Sequence, residues 1–241
     1  VWGFQNNEEF HFMHLNFKSL EHRRKVNSIF MYNREFKNYH VYESNLDPVL
    51  RLMHRTGIQS TGWLDSGDSC VRSHLSKTDI DLWCNEWSTL KPVERDDMAP
   101  FVVASFDIEC NSSTGKFPDP NVQDDACFQI AISLCKFGSD EPYDKTCLCF
   151  KKTDKNIEGS NIISFDTERE MLLAFKRYLN EKDIDIMTGW NIFGFDLEYI
   201  YKRAAMVGCG IEFYQLGKLN DTECHLLMKQ LSSSALGDNY L

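Results

Sequence analysis

Long apolar runs are absent from this 241-residue chain, although 42% of its residues are hydrophobic. A membrane-spanning helix needs about 18 or more consecutive apolar residues, and charged residues interrupt every apolar stretch before that length. The N-terminus also lacks the basic, apolar and small-residue succession of a secretory signal. We therefore expect a globular, intracellular protein with a substantial core and no membrane partner.

Paired cysteine motifs are also missing: the chain has nine cysteines, but none are spaced as Cys-x-x-Cys. Without a secretory signal, this spacing argues against a zinc site and a disulfide framework, and it favours reduced thiols. Cys147 and Cys149 are predicted to share one face of a short strand as small buried hydrophobic residues.

An excess of positive charge is the third absence. The formal net charge is −10, whereas binding to nucleic-acid phosphates calls for clustered lysine and arginine. Basic clusters occur at His22–Lys25 (HRRK) and Tyr201–Arg203 (YKR), and we interpret them as solvated helix faces in preference to phosphate-binding tracks. A nucleic-acid substrate is not excluded, because an acidic metal site contributes negative charge of its own.

The clearest domain boundary is Leu90–Pro100 (LKPVERDDMAP), where two prolines accompany a charged run. We predict a mixed α/β amino-terminal domain over residues 1–99 and an α/β domain over residues 100–241. In the first domain, Asp47–Gly57 predicts a helix with aspartate as N-cap, proline at the first helical position and glycine as the stop. A strand around Ile58 is expected to follow.

The second domain reads as strand, strand, strand, helix, strand, helix, a pattern that indicates an α/β sheet. The first helix is expected to start after Asp166 with a capping box of Thr167 and Glu170, and the second to run from Phe195 to Gly208. The predicted strands are Phe101–Cys110, Cys127–Phe137, Thr146–Phe150 and Ile184–Trp190.

The first of these strands, FVVASFDIEC, begins as an apolar run of the kind that packs on both faces and ends in two carboxylates. Asp107 and Glu109 are two residues apart, so they project from the same face about 7 Å from each other along the strand. Two like charges so placed need a cation or solvent. Taken alone, such a pair is usually a solvated strand end.

A third carboxylate, Asp196, lies in GWNIFGFD, where the fourth strand turns into the second helix. Taken alone, Asp196 is a helix-capping acid and Asn191 a turn residue. Together with Asp107 and Glu109, however, Asp196 can converge on one crevice at the end of the sheet. Three acids without basic neighbours repel one another unless a hard divalent cation holds them.

Such a cluster suits two-metal phosphodiester cleavage, in which two Mg²⁺ ions about 4 Å apart activate a water and stabilise the leaving oxygen. The surrounding motifs are specific. SFDIEC resembles the first 3′–5′ exonuclease motif of family B DNA polymerases, and NIFGFD resembles the second, Asn-x-x-x-Phe-Asp. Tyr42–Leu64 is similar to the amino-terminal domain of delta-type polymerases, and FPDP followed by FQIA is similar to the loop and strand after their first motif. SSSALGDN resembles the polymerases of large DNA viruses of eukaryotes.

The resemblance implies an RNase H-like 3′–5′ exonuclease domain, preceded by a polymerase amino-terminal domain. It implies that Asp107, Glu109 and Asp196 are the catalytic, metal-binding carboxylates for Mg²⁺ or Mn²⁺, with Glu109 also orienting the attacking water. Asn191 and Phe195 would contact or wedge the terminal nucleotides of a frayed primer, since base stacking favours an aromatic face. Their alternative roles are turn residue and core aromatic.

The sequence departs from the family pattern at Trp190, where many relatives have tyrosine, and at Glu198, where proline is common. The third motif, Tyr-x-x-x-Asp, and the polymerase Asp-Thr-Asp-Ser are not found. We therefore expect an incomplete exonuclease domain of a larger polymerase, inactive alone, with the third motif beyond the chain. Its expected partners are single-stranded primer 3′ ends, primer-template DNA, the remainder of the polymerase chain and a sliding clamp, in the nucleus or at a viral replication site.

Two alternatives stay open. One is a stand-alone DNA or RNA exonuclease of the same fold, against which the roughly hundred residues before SFDIEC argue, since a minimal exonuclease needs no such domain. The other is a non-catalytic nucleic-acid-binding module, against which the joint presence of Asp107, Glu109 and Asp196 argues.

Overall fold

A computed structural model describes residues 9–154, 157–227, 230–233 and 237–240. Within these ranges no helix is both long and apolar enough to cross a membrane. The helices are α1 (Leu20–Tyr32), α2 (Pro48–Thr56), α3 (Glu168–Glu181), α4 (Asp196–Met206) and α5 (Gly210–Phe213). The strands are β1 (Trp63–Asp65), β2 (Cys70–Arg72), β3 (Leu82–Cys84), β4 (Lys91–Val93), β5 (Val102–Cys110), β6 (Cys127–Lys136), β7 (Asp144–Phe150), β8 (Asn161–Phe165), β9 (Ile186–Thr188), β10 (Gln230–Ser233) and β11 (Gly237–Tyr240).

The chain divides into two compact units. The first is built from residues up to 65 together with 88–94, and the second from 66–87 together with the chain from 95 onward. The units are therefore interleaved along the sequence, because β4 returns to pair with β1. The predicted boundary at 99/100 stays a prediction.

In the first unit, α2 forms as its sequence predicts. Asp47 Oδ1 accepts a hydrogen bond from the backbone N–H of Val49 at 2.8 Å, and Gly57 ends the helix with a left-handed φ of 75°. The expected strand around Ile58 is wrong: the first strand starts at Trp63. The segment after Gly57 has no strand partner until β1 reaches β4.

The second unit contains a five-stranded sheet in the order β8-β7-β6-β5-β9. The pairs β5–β6 and β6–β7 are antiparallel, whereas β5–β9 and β7–β8 are parallel. The mixed α/β class and the four predicted strands are confirmed, although β9 covers only Ile186–Thr188. The sequence reading missed edge strand β8, whose five residues are too short to show a clear period.

One face of this sheet forms the core with α3, which crosses β6, β7 and β8. The helix starts with the predicted capping box: Glu170 N–H donates to Thr167 Oγ1 at 3.1 Å, and Thr167 N–H donates to Glu170 Oε2 at 3.0 Å. The ring of Phe106 on β5 lies 5.5 Å from that of Phe175 on α3. Burial of these apolar faces holds the second unit together.

Strand β5 does not pack on both faces as expected. Its burial alternates, with Phe106 and Ile108 in the core and Ser105, Asp107 and Glu109 exposed. The apolar run suggested burial on both faces, but only alternate residues of β5 face the helices. An open polar face of the sheet results.

All nine cysteines are free thiols. Cys149 is buried and Cys147 half-buried, with their Sγ atoms 3.6 Å apart. Near the carboxyl end, β10 and β11 pair antiparallel. Residues 234–236 of the SSSALGDN stretch lie outside the described residues.

Candidate active site

Asp107 and Glu109 lie near the end of β5 on its exposed face. Strand alternation places them there because Phe106 and Ile108 occupy the core side. Neither carboxylate makes a hydrogen bond or ion pair with any residue of the described ranges. Both are therefore available to a ligand.

A tight turn joins β9 to α4 and lies against the backbone of β5. At Gly189 a Cβ atom would stand 2.4 Å from the carbonyl oxygen of Phe106 and 2.4 Å from Cγ2 of Ile192. Only glycine fits this close approach. The turn therefore fixes the chain against the strand that carries Asp107.

Asn191 shapes the next part of the turn. It has a left-handed φ of 54°, and its carbonyl accepts hydrogen bonds from the N–H groups of Gly194 at 2.9 Å and Phe195 at 3.1 Å. A Cβ at position 194 would stand 2.4 Å from Asn191 Oδ1, so a larger residue than Gly194 would displace the Asn191 side chain. Asn191 is thus the turn residue that its type suggests, and its side chain is exposed.

Asp196 is the first residue of α4 and only 3% exposed. Its Oδ1 accepts a hydrogen bond from the backbone N–H of Ile108 at 3.1 Å. The backbone N–H and C=O groups of the even-numbered residues of β5 point towards β9. The 3.0 Å hydrogen bond from Asp185 N–H to the Val102 carbonyl shows this. Because β9 ends at Thr188, the Asp196 carboxylate takes the position of a strand partner for Ile108.

The environment of Asp196 disfavours its charge. Burial raises the pKa of the Asp196 carboxyl above its ordinary value, and the negative charge of Asp107 raises that pKa further. The hydrogen bond from Ile108 N–H acts in the opposite direction by stabilising the ionised form. Asp107 and Asp196 are therefore electrostatic neighbours.

The structure brings together two of the three predicted carboxylates, Asp107 and Asp196. Glu109 shares the exposed face of Asp107, but its charge is not among the causes of the raised Asp196 pKa. Among the described residues no three His, Cys, Asp or Glu side chains are grouped closely enough to hold a metal ion. A metal shared by all three carboxylates stays a prediction. The donor chemistry of the pair fits Mg²⁺, because these are hard oxygen ligands whose mutual repulsion a divalent cation relieves.

Phe195, predicted as a nucleotide contact, is half-buried. Its ring centroid lies 5.1 Å from that of Phe117 and 5.2 Å from that of Tyr199. The exposed aromatics beside it are Trp190, at 90% exposure, and Phe193, at 75%. Phe195 thus packs as a core-edge residue that links α4 to the loop between β5 and β6.

That loop, residues 111–126, is held by a buried acid that the sequence reading missed. Asp125 accepts hydrogen bonds from Ser113 N–H at 2.7 Å, Ser113 Oγ at 2.6 Å and Asp119 N–H at 2.9 Å. The Tyr199 hydroxyl donates to the Asp125 carbonyl at 2.7 Å. The hydrogen bonds from Ser113 and Asp119 lower the pKa of Asp125, so its carboxylate stays charged.

Arg203 anchors the same loop from α4. It is 1% exposed, pairs with Glu168 and donates to the Val122 carbonyl at 2.7 Å. Glu168 Oε1 also accepts the N–H of Cys127 at 3.0 Å. Neither interpretation of the Tyr201–Arg203 cluster fits Arg203, because a buried ion pair occupies its guanidinium. The signal that could have predicted its burial was the position of Arg203 on the same helix face as Tyr199, Ile200 and Ala204.

Comparison with known proteins gives the family. The family described as "DNA polymerase family B, exonuclease domain" matches residues 39–238. The chain is 30% identical over 249 residues to a DNA polymerase of Paramecium bursaria Chlorella virus NY2A, covering 99% of this chain and 26% of that protein.

Two further relatives span viruses and plants. The chain is 34% identical to a DNA polymerase of Acanthamoeba polyphaga mimivirus, with 84% of this chain and 12% of that protein covered. It is 33% identical to the DNA polymerase delta catalytic subunit of Arabidopsis thaliana, with 83% of this chain and 18% of that protein covered. The chain thus spans at most about a quarter of these relatives' lengths.

These matches confirm the resemblance and the fold class that it implies, an RNase H-like α/β exonuclease domain. Strand β5 with Asp107 and helix α4 with Asp196 both lie inside the matched range. The chain belongs to the exonuclease domain family of the family B DNA polymerases.

Proposed function

We propose that this chain provides the 3′–5′ proofreading exonuclease of a replicative DNA polymerase and hydrolyses the terminal phosphodiester of a single-stranded primer end. The observation that supports this most directly is the hydrogen bond from Ile108 N–H to Asp196 at 3.1 Å. This bond holds the buried carboxylate of Asp196 near enough to the exposed carboxylate of Asp107 for the charge of Asp107 to raise the pKa of Asp196.

In this proposal, Asp107 and Asp196 bind a divalent cation, Mg²⁺ or Mn²⁺, and Glu109 completes the metal site. The bound metal supplies charge stabilisation and an activated water. Glu109 is exposed and without a partner among the described residues, so it can accept a hydrogen bond from the attacking water and orient it. Asp196 fixes the geometry because its carboxylate is already anchored to the β5 backbone.

Asn191 and Phe195 remain the proposed substrate-binding residues, Asn191 by direct contact with the terminal nucleotides and Phe195 by positioning. The exposure of the Asn191 side chain supports a direct contact. The packing of Phe195 against Phe117 and Tyr199 supports a positioning role for its ring, which would hold the 111–126 loop next to the substrate.

The whole protein is proposed to carry out template-directed DNA synthesis on primer-template DNA, with this chain as one part of the polymerase. A sliding clamp is a proposed partner of that polymerase. The names of the relatives, which are viral DNA polymerases and delta catalytic subunits, support a location inside the cell, in the nucleus or at a viral replication site.

The test uses the polymerase that contains this chain, with the variants Asp107→Ala and Asp196→Ala. Release of the 3′ nucleotide from a labelled single strand in Mg²⁺ is expected to fall more than about 100-fold in both variants, because each removes a metal ligand. Nucleotide incorporation on a primer-template should change less than about twofold, since we assign synthesis to another domain.

Asp140→Ala is the matched control, because Asp140 is an exposed aspartate in the turn between β6 and β7. Folding of each variant is checked by thermal unfolding. Undiminished excision in Asp107→Ala would refute the catalytic role and leave the non-catalytic binding module. Comparable loss of excision and synthesis in folded variants would show that the acids are structural.

A further inference from the structure

A groove of about 560 Å³ opens on the exposed face of the sheet beside Asp107. Its floor crosses three strands. Ser105 on β5 is opposite Ser133 on β6, and Ser133 is opposite Lys145 on β7. These three side chains form one row across the face, and Asp107 belongs to the next row. The groove therefore continues from the candidate active site over a row of hydroxyls to a lysine.

Lys145 is the only lysine or arginine among the described residues that line this groove. Its side chain is exposed and makes no ion pair or hydrogen bond with the described parts of the chain. Other lysines of the same unit are engaged: Lys182 pairs with Asp144 at 2.8 Å and Lys218 with Asp185 at 2.7 Å. Lys145 thus presents to the groove a positive charge that no described acidic residue neutralises.

A DNA strand that reaches Asp107 and Asp196 brings one negative charge per nucleotide into an acidic site in a chain of net charge −10. A cation in the groove offsets that repulsion. From the strand spacing and rise, the Cα atoms of Asp107 and Lys145 are about 12 Å apart. Lys145 is therefore too far from Asp107 to contact the phosphodiester that is cut. It is placed to contact a phosphate further along the DNA strand.

We propose that Lys145, with the hydroxyls of Ser105 and Ser133, binds a backbone phosphate of the single-stranded DNA whose terminal bond is cut at Asp107 and Asp196. This inference rests on the proposed function and adds a substrate-positioning site to it. An ammonium group and two hydroxyls supply hydrogen-bond donors to phosphate oxygens without contacting a base, so the contact is independent of sequence.

The test measures excision of single-stranded oligonucleotides by the containing polymerase with Lys145→Ala, Lys145→Arg and Lys152→Ala. Lys152 is the matched control, an exposed lysine outside the groove. For Lys145→Ala we expect KM to rise about two- to fivefold, as for an exposed ionic contact, with kcat within about twofold. The slope of log(kcat/KM) against log salt should become shallower by about 0.7, the value for one phosphate contact on a single strand.

Lys145→Arg should restore KM and the salt slope, whereas Lys152→Ala should leave both at the wild-type values. A purely structural role for Lys145 would not change the salt slope. If Asp107→Ala abolishes excision but Lys145→Ala keeps the wild-type KM and slope, this inference is overturned and the proposed function stands. If excision is absent from the wild type or survives in Asp107→Ala, both are overturned.

Discussion

The carboxylate of Asp196 accepts a hydrogen bond at 3.1 Å from the backbone N–H of Ile108, 88 residues earlier in the chain. This contact closes the edge of β5 beyond the end of β9 and places the start of α4 beside Asp107. It also buries a charged group next to a like charge, so the geometry that suits a metal site costs stability when no metal is bound.

The first prediction concerns that cost. The raised pKa of Asp196 means that the native state holds the proton to a higher pH than the unfolded chain, so ionisation destabilises the fold above that pKa. Asp196→Asn keeps an oxygen acceptor for Ile108 N–H but removes the charge. In metal-free buffer at pH 7 we expect Asp196→Asn to melt at a higher temperature than wild type, with the difference shrinking as the pH falls through the native pKa. Thermal unfolding between pH 4 and 8 measures this, with Asp140→Asn as control. A difference that grows in acid would contradict it.

The second prediction isolates the contribution of Asp107. Its negative charge raises the pKa of Asp196, so Asp107→Asn should lower that pKa. The stabilisation produced by Asp196→Asn should then be smaller in the Asp107→Asn background than in wild type. A double-mutant cycle of unfolding free energies at pH 7 without metal measures the coupling. Additive effects would show that the two carboxylates do not interact.

The third prediction tests the turn before α4. Gly189→Ala should destabilise the chain by about 1–3 kcal/mol, because the added Cβ meets the Phe106 carbonyl at 2.4 Å. The displaced turn moves Asp196, and a shift of about 1 Å there should reduce excision about 100-fold. Gly217→Ala is the control, since no atom lies within 4 Å of its Cβ position. Equal effects of the two variants on urea unfolding and excision would contradict the close-approach argument.

The fourth prediction tests the buried ion pair. Arg203→Met leaves Glu168 buried without its partner and should destabilise the chain by about 3–5 kcal/mol. It also removes the bonds to the 111–126 loop, whose amides should exchange hydrogen faster. Arg169→Ala removes one member of an exposed pair with Glu212 and should cost under about 1 kcal/mol. A similar decrease in the free energy of urea unfolding for the two variants would show that burial does not determine the contribution of an ion pair to stability.

The fifth prediction separates two roles of Phe195. Because its ring packs against Phe117 and Tyr199, Phe195→Ala should destabilise the chain by about 2 kcal/mol, less than the 3–5 kcal/mol of a fully buried phenylalanine. Phe195→Leu should recover most of that stability and most of the excision. A stable leucine variant with a raised KM for single strands would instead assign the ring a direct contact to a base.

Local patterns were enough for many elements. The caps at Asp47 and Thr167 satisfy N–H groups of their own helices, and the strand period puts Asp107 and Glu109 on one face. Such features depend on residues only a few positions apart, so the sequence predicts them directly. The acidic residues at the end of β5 and the start of α4 could be chosen as candidates for the same reason.

By itself, the sequence thus determined the α/β class, the main helices and strands of the second unit, and the residue types of the candidate site. Only the tertiary structure decided which side chains meet. The Asp196–Ile108 bond, the Arg203–Glu168 pair and the burial of a single face of β5 depend on the sheet order and on where β9 ends. Burial and charge pairing are properties of the whole packed unit, so no local pattern could show that Arg203 lies inside it while Lys145 faces the groove.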